Sequence, residues 1–116
     1  MNYKLLVDTA VLAGEIMLCS GAETYRVEDT ISRILKTTRL EKTEAFVTTA
    51  GIFVTLDDPT IDAISLVQRV MNRSTNLNNI YLTNDISRKI CADKITIEEA
   101  YDELRKIGIK GLILCG

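Results

Sequence analysis

The chain has 116 residues, 47% hydrophobic and 26% charged, with a net charge of −2, which describes one folded domain with a real core and no room for a second. Acidic and basic residues are interspersed along its length and aromatics amount to 5%, which argues against nucleic acid as a partner, since neither a basic stripe nor a stacking platform is present. The absence of histidine excludes Ser-His-Asp and Cys-His sites and removes the commonest neutral metal ligand.

Cys19, Cys91 and Cys115 are odd in number and lack any zinc spacing, so reduced thiols are expected and neither a metal nor a cofactor is. The N-terminus shows no signal-peptide pattern, and no segment reaches the roughly 18 apolar residues of a membrane span.

In chain order, residues 3–19 predict a helix, with Leu6, Ala10, Val11, Ala13, Met17 and Leu18 at helical spacing on a broad apolar face. Ser20-Gly21 predicts a break. Ser20 and Glu23 have the spacing of a capping box, and Gly21 supplies the backbone freedom that a reversing chain needs. A second helix is expected to run to about Leu40, buried through Val27, Ile31, Ile34 and Leu35. Within its first turns Arg26 can pair with Glu23 at i,i+3.

From Glu44 the period changes to that of strands, over 45–49, 52–56 and 61–71. Ala50-Gly51 reads either as a hairpin turn or as a bulge in one bent strand, and Asp57-Asp58-Pro59-Thr60 as a turn. Ser74, Thr75 and Asn76 are three successive N-cap candidates for a helix from Leu77 to about Ala92. That helix carries two apolar stripes, Leu77, Ile80, Tyr81 and Cys91 on one side and Leu82, Ile86 and Ile90 on the other, so contact on both sides is expected. Thr96 and Glu99 form a second capping box, which opens a short amphipathic helix expected to stop at Gly108. Residues 111–116 are wholly apolar apart from glycine; a buried last strand or the threshold of a membrane segment would explain them. Helices, then strands, then helices make an α+β fold: two N-terminal helices, an antiparallel sheet of about three strands and two C-terminal helices, over residues 1–110 with an apolar tail at 111–116.

The strings 20–28 (SGAETYRVE), 46–52 (FVTTAGI), 73–77 (RSTNL), 84–88 (NDISR) and 96–100 (TIEEA) together resemble the soluble N-terminal domain of the threonine/serine exporter family. The first string is distinctive and the others follow in the family's order; Thr49 stands where the family pattern carries proline. The resemblance implies a cytoplasmic domain preceding a bundle of membrane helices. Members export threonine and serine or, in a two-component branch, a dicarboxylate. It implies further that Leu112–Cys115 lies where the first membrane helix begins, so that this is an excised cytoplasmic domain, soluble as a fragment and unable to transport alone.

Glu23, Arg26, Glu28 and Asp29 form the one dense polar cluster that solubility does not require. Simple helix capping and solvated ion pairing account for it structurally, and three functional roles compete with that account. It can dock the domain on the membrane part of the same or a sister subunit, with Arg26 as a bidentate anchor. It can bind an amino-acid or dicarboxylate ligand, with Arg26 on the carboxylate and Glu23 or Glu28 on an ammonium. Or it can support hydrolysis with Ser20, Thr48 or Thr49 as nucleophile, the weakest reading, because only a carboxylate or lysine could serve as base. The expectation is a docking, coupling or regulatory module rather than an enzyme, able to form a homo-oligomer, with Ser20, Gly21, Glu23, Arg26, Glu28, Thr48, Thr75, Asn76 and Asn84 as ligand-binding or docking residues.

Overall fold

A computed structural model describes residues 2–70 and 75–115. Its elements are α1 (Tyr3–Cys19), α2 (Thr24–Lys36), β1 (Lys42–Val47), β2 (Gly51–Asp58), β3 (Ile61–Arg69), α3 (Leu77–Cys91) and α4 (Ile97–Cys115). The fold is α+β, as the element order implies.

α1 is the central element, packed on all three other helices and on β2 and β3. Asn2 caps it by accepting the N–H of Leu5 at 3.0 Å. Leu6, Met17 and Leu18 are fully buried, each stabilising the fold by roughly 1.5–3 kcal/mol. Gly14 lets α1 approach α2 and the sheet closely: a Cβ there would run into the Ile31 side chain and lie 3.1 Å from Ile52 Cδ1.

The strands form an antiparallel meander, β1-β2-β3. Residues 48–50 are the turn of a hairpin whose register sets Val47 opposite Ile52, which decides between the two readings of Ala50-Gly51. Ile52, Val54 and Leu56 face the helices, while Phe46, Phe53 and Val67 lie side by side on the open face. Asp58 accepts the Thr60 N–H and hydroxyl on one oxygen and the Glu41 N–H on the other, holding the Pro59-Thr60 turn and the start of β1 together. β3 ends at Arg69; Met71 and the N-cap candidate Ser74 lie outside the described residues.

Several expectations need correction. α2 stops at Lys36, not Leu40, because the hydroxyls of Thr37 and Thr38 turn back onto the carbonyls of Ile34 and Leu35 at 2.6 and 2.8 Å, and Arg39 takes a positive φ of 59°. The first stripe of α3 is not buried: Leu77 and Tyr81 are 73% and 68% exposed, and Thr83, Ile86, Ser87 and Ile90 form the covered face instead. Gly108 does not end α4, which continues to Cys115. Its φ is not positive, and it lies against Leu12 and Ile16 of α1 with space for a methyl at ordinary contact distance. The residues 111–115 are helical, so neither a last strand nor a break separates them from the domain. Two further corrections, at Ser20 and at the Glu23–Arg26 pair, belong to the site.

α1 and α4 run one way, α2 and α3 the other. α2 turns back from α1; the N–H of Asn76 donates to the carbonyl of Ser20 at 2.9 Å, so α3 starts at the end where α1 finishes. Leu82, Ile86 and Lys89 of α3 line one groove with Glu103 and Ile107 of α4, and the short connection between Cys91 and Ile97 makes the two an antiparallel pair. α4 therefore runs parallel to α1, with Tyr101 beside Asp8–Glu15 and Gly108 beside Leu12 and Ile16. From Gly108 to Cys115 α4 advances about 10 Å, in the sense in which α1 runs toward the Ser20 turn.

Candidate functional site

The junction after α1 is a Schellman turn. Ser20 is the C-cap, Gly21 has φ 99°, the Gly21 N–H donates to Leu18 and the Ala22 N–H to Met17 at 3.0 Å. These three residues are spent on reversing the chain, so α2 starts only at Thr24, with Glu23 as an N-cap whose side chain makes no capping bond. The expected Ser20–Glu23 capping box is therefore absent. A box needs Ser20 at the start of α2, and Ser20 closes α1 instead. The expected Glu23–Arg26 pair is also absent among the described residues, Asp29–Arg33 at 2.9 Å being the ion pair on that helix.

Beyond the turn, α2 and α3 run side by side and leave an open cleft of about 450 Å³ between them. One wall is Tyr25, Arg26, Asp29, Thr30 and Arg33; the other is Asn84, Ser87 and Arg88, and Met17 of α1 forms the floor. Thr30 and Ser87 are 6% and 5% exposed. Arg33 is held by Asp29, whereas Arg26 and Arg88 have no ion-pair partner among the described residues.

Of the expected site residues, this cleft brings together Arg26 and Asn84. Ser20, Gly21 and Asn76 meet at the turn above it, where Asn76 also caps α3 by accepting the Asn79 N–H at 3.0 Å. Thr75 and Glu23 are exposed near that turn. Glu28 points elsewhere: its Oε2 accepts the N–H of Val47 at 3.0 Å and ties α2 to β1. Thr48 uses its hydroxyl inside the hairpin turn, accepting the N–H groups of Ala50 and Gly51. Glu28 and Thr48 thus stand by the β1–β2 hairpin. Thr30, Arg33, Ser87 and Arg88 were missed by the sequence reading. Their signal was there, since 26, 29, 30 and 33 share one helix face, as do 84, 87 and 88, but nothing in the residues said that the two faces meet.

The α+β module with this turn and cleft is of a kind tied to membrane export: the family model for the threonine/serine exporter (ThrE) matches residues 8–111. The chain belongs to that family. No curated protein and no solved structure gives a significant match. Among the described residues, no helix is long and apolar enough to cross a membrane.

Proposed function

We propose that this domain is the cytoplasmic docking and coupling module of a threonine/serine-family exporter, and that it meets the membrane-embedded part of the same or a sister subunit with the end that carries the Ser20–Gly21 turn. The observation that carries this reading is the parallel course of α1 and α4. It delivers the end of α4 to the same side of the molecule as the turn, the Asn76 cap and the starts of α2 and α3. Tyr25 and Leu77, 65% and 73% exposed, stand on that side; an aromatic and an aliphatic side chain left in water favour contact with a partner surface. Hydrolysis gains no support, since the Thr48 hydroxyl is occupied by its own turn and Ser20 is buried.

The test is the double variant Tyr25→Asp/Leu77→Asp in the intact exporter. Export of threonine and serine should fall by roughly tenfold, as for loss of an interface anchor, while the isolated 116-residue chain keeps its melting temperature. Wild-type export by that variant would remove this end from the interface.

A further inference from the structure

The α2–α3 cleft is built for something smaller than a protein partner. Its charged groups are three guanidiniums and one carboxylate. Asp29 is already committed to Arg33, so no acidic group is left to receive an ammonium or a metal. Arg26 and Arg88 approach from opposite walls without a counter-ion among the described residues. Between them lie the Asn84 amide and the hydroxyl residues Thr30 and Ser87, 6% and 5% exposed, while the enclosed hydroxyl without a partner among the described residues is that of Thr83, outside the cleft lining. Hydroxyl and amide groups at the cleft can donate to the oxygens of a ligand held there. Guanidinium forks match the oxygens of carboxylate and phosphate groups. Met17 below and Tyr25 at the side add an apolar surface for a short carbon skeleton.

We propose that this cleft binds a small oxyanion carrying two negative charges, a carboxylate or a phosphate compound. Arg26 and Arg88 neutralise it, and Asn84, Thr30 and Ser87 donate to its oxygens. The inference is tested apart from the docking reading, on the isolated chain, although Tyr25 borders both surfaces.

The experiment is a titration of the 116-residue protein with sodium malonate, inorganic phosphate, serine and, at matched ionic strength, sodium chloride, followed by amide NMR. Malonate or phosphate should give saturable shifts confined to residues 25–33 and 84–88, and the stronger of the two identifies the oxyanion class. Arg88→Gln and Ser87→Ala should each weaken binding, the former by roughly tenfold or more, while Arg69→Gln on the sheet leaves it unchanged. Melting curves establish that each variant is folded. The proposal is overturned if chloride reproduces the shifts, if serine saturates the cleft and neither dianion does, or if folded Arg88→Gln binds like the parent.

Discussion

Single residues decide how the signature turn works. At φ 99° Gly21 sits where an added Cβ meets the flanking carbonyl, so Gly21→Ala should cost about 1–2 kcal/mol, visible as a lower melting temperature; an unchanged melt would mean that the turn can be made another way. Ser20 contributes through its backbone, as an acceptor for Asn76. Its side chain was legible as a cap only because Ser-x-x-Glu spacing is the same whether the serine opens one helix or closes another. Titration adds a second residue-scale outcome. Burial pushes the carboxyl of Glu15 above its ordinary value, against a smaller opposing effect of the Gln68 hydrogen bond. A group raised in the fold contributes its stability below the unfolded value and loses it as pH rises through the folded one. Glu15→Gln should therefore raise the melting temperature at neutral pH and leave it nearly unchanged below about pH 4; the reverse dependence would contradict the assigned burial. Asp58 runs the other way: the Thr60 hydroxyl, then the Glu41 and Thr60 amides, hold its carboxyl low, so its contribution is present at neutral pH and fades as the solution becomes acidic.

Elements were legible where local chemistry and tertiary packing agree. α1 and the start of α3 fall where periodicity and caps put them, and so does the Thr96–Glu99 box, with Glu99 N–H to Thr96 Oγ1 at 3.1 Å and the return bond at 3.2 Å. The expectation fails at α4, where a glycine carries two meanings, a stop or a crossing point, and only the neighbouring helix distinguishes them. Gly108→Ala tests the distinction. A methyl there would meet Ile16 and Leu12 at 3.6–3.7 Å, ordinary contact, so the variant should gain about 1 kcal/mol from helix propensity. A loss on chemical denaturation would restore the helix-stop reading. The stripe of α3 fails for a related reason. Leu77 and Tyr81 have the spacing of a buried face, yet nothing among the described residues packs over them, and a sequence records that a face is apolar without recording what covers it.

At the scale of the molecule, the cleft was the least legible feature, because Arg26 and Arg88 belong to helices separated by the whole sheet. Their proximity follows from one backbone bond, Asn76 to Ser20, which the residue types do not encode. The same arrangement has a consequence for how the protein is made. α1 is the first element synthesised, and its most extensive helix contact is with α4, the last. Leu12 and Ile16 receive Gly108 only after the sheet and both intervening helices exist. The domain thus carries an oily helix without its final cover until α4 has been made, and contacts so distant in sequence form late and slowly. During that interval α1 is exposed apolar surface, and completion of the core waits on the arrival of α4.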